Sequence, residues 1–220
     1  MTFRGWPQEA LDFYVGLEAD NSKSYFHAHK AIYDECVKAP FLELSQEIER
    51  EFGPLRVFRP NRDIRFSKDK TPYKIAAAAS TESEGGAAYY VQISTAGLYV
   101  GSGFYHLASD QLEGYRVAVA DARSGPKLAA AVAGLRKQGY GVDSRESLTR
   151  APRGYPQDHP QIELLRKKGM HAGKEFGAPR WLHTKGALDR IVKAWHDAAP
   201  VNLWLQKHVG PSTLPPPEPR

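Results

Sequence analysis

The hydrophobic rhythm of the chain changes near residue 53, and no other feature restricts the fold as much. Before that point apolar residues recur at intervals of three and four. Leu11, Tyr14, Val15 and Leu17 follow Pro7, which suits a first helical position because its missing N–H is not needed there. Asn21 or Ser22 is placed to cap a second helix, on which Phe26, Lys30, Tyr33 and Val37 form one stripe with Ile32 and Cys36 beside it. Pro40 bends or restarts that helix, which then runs through Leu44 and Ile48 to Gly53. Beyond Gly53 the segments FRPNRDIRF, AAAAST, AYYVQIS and LYVGSGFY are short and rich in small, β-branched or aromatic residues. Glu84-Gly85-Gly86 and Thr95-Ala96-Gly97 suit hairpin connections between them. The pattern predicts an antiparallel sheet of about four strands over residues 56–106, with Ala88–Ser94 paired to Leu98–Phe104. Helices follow from Ser109 or Asp110 to Ala122, from Gly125-Pro126 to near Gly139, and over 160–168 and 184–208, while 142–160 reads as a loop. The fold class is therefore α+β: residues 1–210 form one domain, its sheet packed against N- and C-terminal helices, and 211–220 form a Pro-rich flexible tail.

Several function classes are excluded at this level. A chain of 220 residues, 41% of them hydrophobic, can bury a core, and no Gly/Ser- or Pro-rich linker interrupts its middle. No apolar run approaches the roughly 20 residues that span a bilayer, and MTFRGWPQEALDF has neither the basic start nor the apolar stretch of a signal peptide. A cytoplasmic protein with no membrane partner is expected. The single cysteine, Cys36, can form neither an internal disulfide nor a cysteine zinc site, and its stripe predicts a small buried core residue touching no metal. His27 and His29, two apart on a helix, point away from each other. Gly101-Ser102-Gly103 lacks the third glycine and the following helix of a dinucleotide fingerprint, and there is no P-loop or nucleophile elbow. No cofactor is called for, and nothing sets an oligomeric state.

Charge is distributed unevenly. Residues 56–74, RVFRPNRDIRFSKDKTPYK, hold four arginines and three lysines against Asp63 and Asp69, a balance of five positive charges that equals the net charge of the whole chain. Residues 1–55 are acidic overall and residues 145–174 are basic. If 59–66 is a strand, Arg59, Asn61, Asp63 and Arg65 share one face, while Ile64 and Phe66 turn toward the core with Arg62 at their edge. Asp63 would then aim the Arg65 guanidinium, pre-setting a fork for phosphate or carboxylate, with Lys70 and the backbone of the loop 67–73 completing a cradle. The plain alternative is a solvated Arg/Asp ladder, with Tyr73 a half-buried aromatic.

The run Arg62-Asp-Ile-Arg-Phe-Ser-Lys-Asp-Lys-Thr-Pro-Tyr-Lys74 resembles the signature of a bacterial and fungal family catalogued as domain of unknown function 2461. Asn21, Phe26 through Lys30, and Tyr33 look like its helical segment, and Tyr89-Tyr90 with Gly101 to Tyr105 is similar to its central hairpin. Pro152-Arg153-Gly154-Tyr155 and Asp158-His159-Pro160, followed by Leu164-Leu165-Arg166, resemble its second polar motif. The stretch after Tyr105 and residues 169–186 match it only loosely. The resemblance implies no particular reaction.

Three readings follow. In the first, both basic motifs converge on one concave site for a small anionic, phosphate-bearing ligand, in an enzyme or a binding protein. Arg62, Arg65, Lys70, Tyr73 and Arg153 would form it, with Lys30 and Arg166 as further candidates; Asp63, Tyr73 and His159 are the candidate proton carriers. His159 has an alternative place beside Asp158, as part of a helix cap with Asp158 accepting the backbone N–H groups. In the second, Arg59, Arg62, Arg65, Lys68 and Lys70 contact nucleic-acid phosphates while Tyr89, Tyr90 or Tyr99 stacks on bases. In the third, the arginines pair with the acidic N-terminal helices and the motif is structural.

Overall fold

Ser22 accepts a hydrogen bond from Tyr25 N (3.1 Å) and so opens the second helix, as the sequence predicts. The computed structural model describes residues 2–81 and 86–214. Helix α1 (Gln8–Ala19) precedes α2 (Lys23–Ala28) and the single turn α3 (Lys30–Ile32). A π-helical stretch, Tyr33–Lys38, leads into α4 (Ala39–Phe52). The expected continuous second helix is thus interrupted at His29 and widened after Ile32. Pro40 explains the widening: it has no N–H for the Cys36 carbonyl, and its ring crowds that carbonyl in a normal helix. The Trp6 indole uses the altered turn, donating to Val37 O at 3.2 Å. Cys36 is half-buried rather than buried, because the same turn carries its side chain off the stripe of Phe26, Tyr33 and Val37.

Strands β1 (Leu55–Val57), β2 (Ala76–Thr81), β3 (Ala88–Ser94) and β4 (Gly97–Phe104) come from the predicted region. They are joined by β5 (Gly141–Asp143) and β6 (Met170–Gly177) in a six-stranded sheet of order β1-β2-β3-β4-β6-β5. The neighbouring β3 and β4 are connected through Thr95-Ala96, as expected. The connection at Glu84-Gly85 lies outside the described residues. Helices α5 (Ser109–Ala120), α6 (Gly125–Lys137), α7 (Ile162–Leu165) and α8 (Gly186–His208) match the later expectations, although α7 is shorter than 160–168. The final two strands are not among the expected ones, because β5 has only three residues inside what reads as a loop. In addition, β6 (MHAGKEFG) mixes glycine and charge instead of alternating. A Cβ on Gly103 would meet Met170 O at 2.4 Å and His171 Cα at 2.6 Å, so this glycine admits a neighbouring backbone.

The contacts define two compact units. The first holds residues 2–81, 89–100 and 175–194, and its core is aromatic. Trp6 packs edge-on to Phe3 and Phe41, with centroids 5.2 and 4.9 Å apart, and Phe13 packs against Phe26 at 5.8 Å. Pleat and register place Ala77, Ala79, Val91 and Ile93 on one buried face of β2 and β3. Tyr89 shares that face and meets Phe52 of α4 at 4.8 Å. Ala76, Ala78, Tyr90 and Gln92 turn the opposite way. The second unit holds residues 86–88, 101–174 and 195–214, with Leu128, Val132, Leu135, Leu165 and Trp195 buried. Each fully buried side chain of this size contributes about 1.5–3 kcal/mol. Tyr115 donates to Leu164 O at 2.9 Å, so its hydroxyl is satisfied inside the core. Asp110 accepts from Ser212 Oγ (2.9 Å) and Thr213 N (2.7 Å), which ties the start of the Pro-rich segment to α5; residues 215–220 lie outside the described part.

Candidate anion site

The arginine-rich motif does not form the strand expected over 59–66. After β1 ends at Val57, Phe58 N donates to Ala78 O (2.9 Å), and the chain then departs as a loop. Pro60 and Pro72 bring no N–H to a ladder, and two aspartates offer the backbone another partner. Asp63 accepts from Arg65 N (3.2 Å) and Asp69 from Thr71 N (2.9 Å). The loop returns on itself through the bridge Asn61–Tyr73, with Arg62 N donating to Pro72 O and Lys74 N to Pro60 O, both at 2.8 Å. Without strand alternation Phe66 is 97% exposed and Ile64 half-buried, so neither forms the core pair that the sequence pattern predicts.

Asn21 fixes the returning end. Its Nδ2 donates to Tyr73 O and its Oδ1 accepts from Tyr73 N, each at 3.1 Å. The Tyr73 ring is buried and stacked on Phe26, with centroids 4.1 Å apart and planes 11° from parallel. Within the loop Arg62 Nη1 donates to Asp69 Oδ2 and Thr71 Oγ1. Arg65 grips Asp63 with both prongs, Nε at 3.0 Å and Nη2 at 2.7 Å. Lys70 donates to Ile64 O at 3.0 Å and Lys74 to Arg59 O at 2.9 Å. Hydrogen bonds from Arg65 hold the Asp63 carboxyl at about 2, and those from Arg62 and Thr71 do the same for Asp69. Burial, and then the neighbouring Arg59, push Lys74 below the usual lysine value.

Against this loop the first unit forms a pocket of about 760 Å³. Ala76 and Ala78 line it from the open face of β2, together with Tyr90 and Gln92 of β3, Phe58 and Tyr73. Arg59, Arg62 and Lys74 bring positive charge to it, and Glu18 and Asp69 are its carboxylates. Asp69 is taken up by Arg62, and Glu18 accepts from Thr95 Oγ1 at 2.9 Å. Lys74 Nζ lies 5.7 Å from the Phe58 ring centroid. Tyr90 donates to Gln92 Oε1 at 2.6 Å.

Of the residues chosen from sequence, Arg62 and Tyr73 line this pocket. Arg65 and Lys70 hold the loop, and Lys30 pairs with Asp34 one turn further along its helix. Asp63 orients an arginine, as expected, although through a loop instead of a strand face. Arg153 belongs to the second unit and is exposed at a turn closed by Tyr155 N to Pro152 O (3.2 Å). Arg166, also there, caps α7, and its buried Nε has no hydrogen-bond partner among the described residues. His159 accepts from Gln161 N through Nδ1 (3.0 Å), so the α7 entry uses the imidazole where Asp158 was the expected cap. Sequence reasoning assigns Arg59 to the nucleic-acid alternative alone and misses Phe58, Lys74 and Gln92. The alanine run Ala76–Ala79 is the available signal, since small residues on one sheet face leave a recess. Among the described residues no cluster of His, Cys, Asp or Glu is placed to hold a metal, and no helix is long and apolar enough to cross a membrane.

Comparison with curated proteins and with solved structures yields no match, whereas a family model described as conserved hypothetical protein (DUF2461) matches residues 9–204. That span takes in both polar motifs and nearly every element of the fold, and the chain belongs to the DUF2461 family.

Proposed function

We propose that the protein binds a small anionic, phosphate-bearing ligand at the pocket of the first unit, as an enzyme or as a binding protein. The supporting observation is the state of its cations. Arg62 is anchored by Nη1 alone, so Nε and Nη2 are held in a fixed plane and make no hydrogen bond to any described residue. An arginine oriented in this way presents a ready fork to an oxyanion. Arg59 has no carboxylate partner among the described residues, and Lys74 donates to a carbonyl beside the Phe58 ring without a carboxylate partner among them. The Tyr73 hydroxyl has no hydrogen-bond partner among the described residues and can donate to the ligand. In this reading Arg65 and Lys70 keep the loop in shape, and Asp63, locked to Arg65, is a poor proton acceptor. The contribution of Arg153 and Arg166 to the same ligand, and of His159 to any proton transfer, rests on the sequence pattern alone.

Calorimetric titration with pyrophosphate tests the reading. Arg62→Ala is expected to weaken binding at least tenfold, in line with about 1.5–3 kcal/mol for a hydrogen bond to a charged group, and Arg62→Lys to restore it only in part. Arg153→Ala, measured alongside, decides whether the second motif takes part. Absence of pyrophosphate and phosphate binding to the unmodified protein ends the proposal. Nucleic acid would bind instead with a steep salt dependence. Of the three tyrosines assigned to base stacking, only Tyr90 and Tyr99, 6.0 Å apart, meet on the pocket's sheet face, while Tyr89 is turned to α4.

A further inference from the structure

We infer that the anion recognised here is carried on a planar ring, so that the ligand class is an aryl phosphate; this rests on the anion reading above. A bare phosphate accounts for only part of the pocket. Pockets of a few hundred to a thousand Å³ enclose whole organic ligands, and this one has about 760 Å³. Its cations explain one end of such a ligand. The rest of the lining is of another kind: the methyl groups of Ala76 and Ala78 form a low apolar floor on β2, and Phe58 and Tyr90 line the pocket with them. The two rings have centroids 6.4 Å apart and are tilted by 37°, too close for a third ring between them, so a ligand ring stacks on one face over the alanines. Lys74 Nζ, 5.7 Å from the Phe58 centroid, places positive charge within reach of anything stacked there. The anion must therefore be attached close to the ring. Gln92 adds a polar edge: its Oε1 accepts from Tyr90, and its amide N–H group makes no hydrogen bond to the described residues, as suits a ring bearing an acceptor. Phe58 is 38% exposed, large and apolar, as expected of a ring kept available for a ligand.

Titration of the full chain with inorganic phosphate, glycerol phosphate, phenyl phosphate and phenol tests this. Phenyl phosphate is expected to bind about tenfold or more tighter than phosphate, the usual gain from one stacked ring, with glycerol phosphate close to phosphate. Phe58→Leu should remove that advantage, read as the ratio of the phenyl phosphate and phosphate affinities measured on the same variant. Ala76→Leu, which fills the floor from a half-buried position, should do the same if the first variant fails to fold. Equal affinities for phenyl phosphate and phosphate overturn the ring inference while the anion reading stands. Equal affinities for glycerol and phenyl phosphates overturn it too. Phenol binding as tightly as phenyl phosphate, or no binding by any of the four, removes the anion reading and this inference with it.

Discussion

In the loop of residues 58–75 charged and amide side chains reinforce the backbone bridge Asn61–Tyr73: Asn21 ties to the Tyr73 backbone, Arg62 to Asp69 and Thr71, Lys70 to Ile64 O, and Lys74 to Arg59 O. In residues 144–161 side chains act at the two ends, through Ser144, Glu146 and His159, while the part between closes through the backbone. Tyr155 N donates to Pro152 O, His159 N to Pro156 O, and Leu148 N to Arg166 O at 2.8 Å beside the bridge Ser147–Lys167. Both stretches are polar, proline-containing and without regular structure, yet a charge has a different meaning in each. Arg62 or Lys74 cannot be removed from the first loop without touching its shape. Arg153, at the corner of a turn that closes through peptide groups, can be. Arg153 is therefore a sound probe of function in the second stretch, whereas in the first every charge substitution needs a structural control.

The largest expected difference lies in the side-chain ties. Asn21→Ala leaves the Tyr73 N–H and C=O without partners in a half-buried place and should lower unfolding free energy by about 2–4 kcal/mol, read by chemical denaturation. A loss below about 1 kcal/mol, the worth of a single ordinary hydrogen bond, would show that the backbone bridge alone is enough to hold the first loop. Next comes the turn of the second stretch. Gly154 has φ +89° and open space where a side chain would project, so Gly154→Ala meets only backbone strain, about 1–2 kcal/mol. A neutral result there would mean the turn is not maintained in solution. His159→Ala removes one hydrogen bond to Gln161 N and should cost about 1 kcal/mol, again by denaturation; a loss as large as that of Asn21→Ala would erase the contrast between the loops.

The smallest effect concerns Arg65→Ala, whose pair is exposed and screened by solvent; the loss of unfolding free energy should be the least of the set at neutral pH and vanish as pH falls toward about 2. Its signature is in titration. Carboxyl NMR should show Asp63 and Asp69 titrating at about 2 in the unmodified protein, with Asp63 alone returning toward about 4 in the variant. Because both folded-state values are depressed, what these ties add is present above the unfolded value of about 4 and is lost as pH falls toward about 2. Joint movement of both carboxyls would show that the two arginine–aspartate pairs form one network.

Most of the architecture is legible in the periodicity, because α1, α4, α5, α6 and α8 each bury a repeating apolar face and β2 to β4 lie between turn residues. What escapes is set by contacts distant in sequence. β6 has a pattern of its own only when paired with β5, where Val142 faces Ala172. The motif's alternating arginines and aspartates imitate a strand because charge spacing alone does not separate a ladder from a loop in which each aspartate folds back on a nearby N–H. Arg62 and Tyr73 are legible as pocket-lining candidates, since both stand in the one run that concentrates the chain's positive charge. Phe58 and Lys74 are not, since their place depends on how the loop closes.

The Asn21–Tyr73 contact has a consequence for how the family varies over evolutionary time. Asn21 reads only the peptide group at position 73, so substitutions at that position leave its hydrogen bonds intact, and the two positions should show no correlated exchange among relatives. Phe26 and Tyr73 instead meet ring to ring and should change together. An alignment would then display Asn21 as a fixed letter with no visible correspondent, although it is the residue that binds the helical motif to the arginine-rich one. The separation of those two motifs in sequence is thus only apparent: in the folded chain they are the halves of one joint.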